Sequence, residues 1–322
     1  QQAVRFSLFH VLQSGARAER RAIGAKGLTG PGYDGHAFWD TEGFILPLLT
    51  YIAPRAAADA LRWRHSILEQ ARHRARTLGL AGAAFPWRTI RGEECSAYWP
   101  AGTAALHLNA VVARAAERYR QVTGDESLEA EGGLELLVET ARLWASHGHH
   151  DAGGAWHLDG VTGPDEYSGI TDDNVFTNLM AARNLRAAVA ACARRPADAE
   201  RLGVGADETK AWQAAADAVH VPYDERLGVH PQSEGFTRYA PWDFAGEHPG
   251  EPLMLHAPYF TLYRRQVLKQ ADLVLAMQWC PEVFTAEQKA RNVDYYERIT
   301  TRDSSLSACT QAVMCAEVGH LS

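Results

Sequence analysis

The sequence predicts an all-α fold of paired helices stacked around a ring, with ordered loops gathered at one end. Three observations predict it. Apolar residues recur at helical spacing in about ten segments, and alternating strand patterns are nearly absent. The connections between those segments are long, yet they carry Trp and Phe, which argues for ordered, functional loops rather than disorder.

The segments run in order as 3–14, 41–52, 55–78, 104–122, 134–146, 175–193, 206–218, 266–278, 285–297 and 306–318. Three are the clearest. Residues 104–122 set Leu108, Val111, Val112, Ala115 and Tyr119 on one face, and Gly124 follows as a stop. Residues 134–146 set Leu134, Leu137, Val138, Ala141 and Trp144 on one stripe. Residues 175–193 repeat the pattern with Phe176, Leu179, Met180 and Leu185. The loops include GAKGLTGPGYDGHAFWD, AGAAFPWRTIRGEECSAYWPAG, HLDGVTGPDEYSGITDDN and HPQSEGFTRYAPWDFAGEHPGEP. No low-complexity stretch or linker divides the chain, and no short-period repeat is legible. A single domain over 1–322 is expected.

Composition bounds the function. The 322 residues are 46% hydrophobic and 22% charged, a globular balance with ample material for a core. The formal net charge of −7 argues against a nucleic-acid surface, although local basic groups can still hold an anion. The five cysteines, Cys95, Cys192, Cys280, Cys309 and Cys315, form no CxxC pair, so neither a metal framework nor a dithiol motif is expected. Unpaired thiols fit a cytoplasmic protein. No signal peptide and no apolar run of membrane-spanning length is visible. The chain opens mid-pattern without an initiator methionine and stops just after a helical stretch, so it reads as an excised domain.

Several loops suit carbohydrate chemistry. Flat aromatic faces cover sugar rings, and polar side chains bond the hydroxyls. Trp39 and Asp40 form such a pair. They also read as a core tryptophan and a cap for the helix at 41–52, and the two roles can coexist. Trp87 and Trp99 read as core packing, and Glu93 and Glu94 as solvated acids. The stretch GPDEY, Gly163 to Tyr167, interrupts a chain that otherwise favours helix. On residue type alone it is an exposed turn or a loop carrying a catalytic carboxylate.

Five motifs, in order, narrow the choice: GAKGLTGPGYDGHAFWDTEGFILP, GAAFPWRTIRGEEC, HLDGVTGPDEYSGITDDNVFTNLMA, VLKQADLVLAM and TTRDSSLS. Together they resemble glycoside hydrolase family 65 from the first residue to the last. Members include maltose, trehalose, kojibiose and nigerose phosphorylases and some acid trehalases. The resemblance implies an (α/α)6 barrel of twelve helices, flanked in the family by an N-terminal β-sandwich and a small C-terminal β-domain. With about ten helices legible, the last pair and both β-domains are expected to be absent from this chain.

The resemblance also implies a site. Glu166 matches the family's general acid, which protonates the departing glycosidic oxygen. Trp39, Asp40, Lys269 and Gln270 match residues that grip the nonreducing glucose. By composition alone, Lys269 and Gln270 read as exposed helix positions. Arg302, Ser304 and Ser305 lie in the segment that contributes to the family's phosphate site. A helix start with unpaired N–H groups favours an anion there, and a plain serine cap is the alternative. This chain has Ser168 and Arg302 where many phosphorylases carry histidine.

The expected reaction is inverting phosphorolysis of an α-linked glucose disaccharide. Inorganic phosphate serves as co-substrate, and no cofactor and no metal is required. A trehalase-like hydrolase is the alternative. It would need a base, for which Glu234 is a candidate, whereas Asp303 reads as a helix cap. A catalytically silent sugar-binding domain is the third reading. The family often forms dimers, so a homodimer is one assembly the resemblance allows.

Overall fold

A computed structural model of the chain describes residues 1–246 and 251–320, so part of the loop HPQSEGFTRYAPWDFAGEHPGEP, residues 247–250, lies outside the described residues. The fold is mostly helical, with fourteen α-helices among the described residues, and the few named strands are two residues long. It resolves into two compact units, Gln1–His149 with Ala181–Ala218, and His150–Met180 with Val219–Ser322.

In the first unit the periodic faces are core. Leu108, Val111, Val112, Ala115 and Tyr119 of the helix His107–Thr123 are all buried, as are Leu134, Leu137, Val138, Ala141 and Trp144 of Leu134–His147. Gly124 ends the former in the left-handed conformation, at φ 68°, where a side chain would be strained. Leu46, Leu49, Ala57, Leu61, Ala115 and Tyr119 join in one apolar cluster.

Two expected helices here are interrupted. The segment 41–52 starts as a wide turn over Thr41–Ile45, with Leu46 N–H donating to the Thr41 carbonyl, and becomes α-helical at Leu46–Ile52. Pro47 has no N–H to donate into the preceding turn, which therefore widens. The segment 55–78 divides into Pro54–Ser66 and Leu68–Thr77 at Ile67. The Ser66 hydroxyl donates back to the Trp63 carbonyl at 2.7 Å, competing with the helix's own ladder.

The same unit corrects two residue readings. Trp99 is 61% exposed rather than core, because it opens the short helix Trp99–Ala104 with its ring outward. Glu93 is exposed as expected, but Glu94 is held inward and accepts from the backbone N–H groups of Trp87, Arg88 and Ser96.

In the second unit three helices pack together: Asp272–Trp279, Ala286–Glu297 and Ser305–Glu317. Thr285 and Gln288 form a reciprocal capping box at the start of the middle one. The expected helix 266–278 begins only at Asp272. Before it the chain is extended: Arg265–Gln266 pairs in parallel with Ala240–Pro241, and Leu268 exchanges backbone hydrogen bonds with Ile299 and Thr301. The helix Val175–Arg194 contributes its first residues to this unit and its remainder to the first.

None of the five cysteines forms a disulfide. No helix among the described residues is long and apolar enough to cross a membrane.

Candidate active site

GPDEY lies on a loop whose neck is closed by backbone pairing. Val161 and Thr171 exchange N–H···O bonds of 2.9 and 2.8 Å, and Asp173 N–H donates to the Leu158 carbonyl at 2.9 Å. The loop is therefore ordered, which a turn acid on a loose surface segment would not require.

Inside the loop, adjacent acids take opposite tasks. Asp165 is buried and acts as a hub. Its Oδ1 accepts from the backbone N–H groups of Lys269 at 2.8 Å, Gln270 at 3.1 Å and Tyr167 at 3.2 Å. Its Oδ2 accepts from Ser168 Oγ at 2.7 Å and Gln232 Nε2 at 3.2 Å. These bonds explain why Lys269 and Gln270 are extended rather than helical: the carboxylate captures the N–H groups that a helix would use. Ser168, at a position where many relatives of the expected family have histidine, is spent on this hub.

Glu166 is half-buried and faces the other way. Its Oε2 accepts from Lys269 Nζ at 2.6 Å and Gln270 Nε2 at 2.8 Å, while its own N–H donates to Gln270 Oε1 at 3.2 Å. The structure thus brings together three residues that sequence reasoning assigned to one site across more than a hundred positions.

Two residues after Gln270 stands a second buried acid. Asp272 is 0% exposed. Its Oδ2 accepts from Asn174 Nδ2 at 3.0 Å, and its Oδ1 has no hydrogen-bond partner among the described residues. Burial, with the Asp165 charge adding, pushes its carboxyl well above the usual range.

Burial also pushes the Asp165 carboxyl up to about 6 from 3.8, against Ser168 and the backbone N–H donors. A carboxyl raised in the folded state binds more protons there than in the unfolded chain between those two values. Its contribution to stability is therefore lost as pH rises through that window. We expect the unfolding free energy of the wild type, relative to Asp165→Asn, to fall by about 3 kcal/mol between roughly pH 3 and pH 7. Chemical denaturation across pH measures this, and a flat or rising difference would contradict it.

The segment 300–307 meets the site unevenly. Ser304 caps the helix Ser305–Glu317, accepting from Leu306 N–H at 3.3 Å, and its Oγ lies 3.5 Å from Gln270 Nε2. Ser305 is exposed at the first turn. Arg302 sits in the left-handed region at φ 64°, is 66% exposed, and turns its guanidinium to Glu297. Asp303 is not the cap expected of it. It accepts from the Tyr167 hydroxyl and, at 2.9 Å, from Leu253 N–H. Burial, then that hydrogen bond, pushes the Tyr167 phenol far up, so it remains a donor. Tyr167 is thus a tether between GPDEY and TTRDSSLS as well as an apolar neighbour.

Glu234 is about half exposed and lies 3.6 Å from Arg238. Tyr259 was missed by the sequence reading. Its phenol is raised by burial and by the charge of Glu166 nearby, and it packs in an apolar cluster with Tyr167 and Leu253. The aromatic run of APYF was the signal for it.

Trp39 and Asp40 belong to the first unit. Trp39 is 4% exposed, edge-on to His107 at 5.2 Å and tilted against Phe44 at 5.5 Å. Asp40 precedes the turn Thr41–Ile45 but makes no side-chain cap bond, so the capping reading is corrected. Its backbone is already helical, whereas a capping side chain needs an extended residue.

Comparison with known proteins places these residues in context. Residues 5–322 match the family described as glycosyl hydrolase family 65 central catalytic domain. The chain is 70% identical over 321 residues to an uncharacterized glycosyl hydrolase of Mycobacterium tuberculosis, covering 100% of this chain and 41% of that protein. It is 45% identical to an alpha,alpha-trehalose phosphorylase of Geobacillus stearothermophilus, covering 100% of this chain and 43% of the relative. A solved structure titled putative kojibiose phosphorylase from human microbiome superposes with a TM-score of 0.91 at 29% identity, over 99% of this chain and 48% of the other. The chain spans about two fifths of the length of the curated relatives it matches.

Proposed function

We propose, since this chain belongs to glycosyl hydrolase family 65, that it carries the catalytic centre of an inverting disaccharide phosphorylase acting on an α-linked glucoside, with α,α-trehalose the first substrate to test. The observation that carries this reading is Glu166 held on an ordered loop beside Lys269 and Gln270. The trehalose choice is supported by the 45% identity to the Geobacillus enzyme, against 35% to a kojibiose phosphorylase and 31% to a maltose phosphorylase.

In this mechanism the glucose hydroxyls take over Lys269 and Gln270, freeing Glu166 to act as the acid. Glu166 gives its proton to the interglycosidic oxygen as that oxygen leaves the anomeric carbon. A phosphate oxygen attacks the same carbon from the opposite face. The products are β-glucose 1-phosphate and a free sugar. Phosphate is already an anion, so no second carboxylate is needed. A hydrolase would need a base, and the carboxylate of Asp303 is engaged by Tyr167 and Leu253.

The phosphate site is proposed at Ser304, Ser305 and Arg302, at the start of the thirteen-residue helix. Arg302 would have to leave Glu297 to reach the anion. Arg302→Ala is expected to raise the phosphate KM by about tenfold, the loss of one charge-assisted hydrogen bond, with little change in the sugar KM. Equal effects on both would remove Arg302 from the anion site.

The deciding experiment gives the full-length protein trehalose, kojibiose, maltose and nigerose, each with and without phosphate. Phosphate-dependent β-glucose 1-phosphate is expected. Free glucose without phosphate would establish the hydrolase, and an α-configured phosphate would exclude single displacement.

A further inference from the structure

We propose that His157, Asp173 and His220 form a binding site for a zinc-class divalent cation at the neck of the loop that carries Glu166. Each offers one donor atom, and the three atoms lie within 4.8 Å of one another. Two imidazoles and one carboxylate suit zinc, cobalt or nickel, whereas magnesium and calcium favour all-oxygen sets.

The cluster is held as metal ligands are held, by groups outside the donor set. A single amide, Asn178 Nδ2, donates to Asp173 Oδ1 at 2.8 Å and to the His220 carbonyl at 2.9 Å. Leu158 N–H also donates to Asp173 Oδ1, at 3.2 Å. That oxygen is therefore fixed, and Oδ2 is turned to His157 Nδ1 at 2.7 Å. His220 is anchored through its own N–H to the Trp156 carbonyl at 2.8 Å. The two imidazole rings lie 4.7 Å apart with a tilt of 32°.

The surrounding charge favours a cation. The Asp151 carboxylate is 3.7 Å from His157 Nε2. The carboxylates of Asp173 and Asp159 add further negative charge around His157. An ion seated between His157 Nδ1 and Asp173 Oδ2 replaces the proton they share, which leaves to solvent.

The consequence is local. His157 and Asp173 flank the two ends of the loop, and His220 lies on a separate segment paired beside Trp156. An ion bridging all three closes the neck of that loop more tightly than the hydrogen bond does alone. The proposal concerns binding and stability and does not depend on the reaction assigned above.

The test uses the tag-free chain, stripped with a chelator and titrated with Co²⁺ and Zn²⁺. One ion per chain is expected, with visible ligand-field bands from Co²⁺ and a higher melting temperature with Zn²⁺. His220→Ala should abolish the saturable binding, and Asn178→Ala, whose amide only orients the ligands, should weaken it by about 10–100-fold. His157→Gln is the second ligand variant, should His220→Ala fail to fold. No saturable binding at micromolar Zn²⁺, wild-type affinity in the folded ligand variants, or equal binding of Mg²⁺ would each overturn the site and leave His157–Asp173 as an ion pair only.

Discussion

Glu166→Gln in the full-length protein is expected to lower kcat by about 10²–10⁴-fold while sugar binding persists. Glutamine keeps the half-buried shape and an acceptor for Lys269 Nζ or Gln270 Nε2, so the pocket is preserved. What it loses is the proton that the leaving oxygen takes. Donors with good leaving groups need less protonation, so the variant should recover part of its rate on them. Steady-state kinetics on the disaccharide and on an activated glucoside separate the two effects. Near wild-type kcat on the disaccharide would remove Glu166 from the acid role.

Gly163→Ala should be nearly as damaging, by a different route. A Cβ at this position would lie 2.1 Å from Asp272 Oδ2 and 2.5 Å from Asn174 Nδ2. Both atoms are buried and bonded to each other at 3.0 Å, so neither can withdraw. The loop must move instead, at a cost of about 3 kcal/mol or more. Three residues on, a shift of about 1 Å in Glu166 would cost roughly 100-fold in rate. Gly30→Ala is the control, since a Cβ there meets nothing within 4 Å. Urea unfolding and activity are measured on both variants. If Gly163→Ala kept both properties, the tight seat under GPDEY would be refuted.

The helical faces were legible because burial repeats at the period of the helix. Leu108, Val111, Val112 and Ala115 recur at that spacing and all end in the core. Gly124 was legible for a local reason, its freedom at positive φ. The stretch VLKQADLVLAM was misread for the opposite reason. Its apolar residues fit a helix, yet Val267 and Leu268 are buried in extended chain because Asp165, more than a hundred residues earlier, binds the N–H groups of Lys269 and Gln270. Asp303 was misread in the same way: an acid before a helix suggests a cap, but Tyr167 and Leu253 claim it.

By itself, then, the amino-acid sequence determined the all-helical class, the family, and the candidacy of Glu166, Lys269 and Gln270. Those depend on periodicity and on short motifs, which are properties of neighbours along the chain. Only the tertiary structure decided which of two adjacent acids faces inward as a hub and which faces Lys269. It alone turned Arg302 to Glu297, and it alone assembled His157, Asp173 and His220. Each of these depends on which distant donors reach a given oxygen or nitrogen, and hydrogen bonds act over about 3 Å in space whatever the separation in sequence.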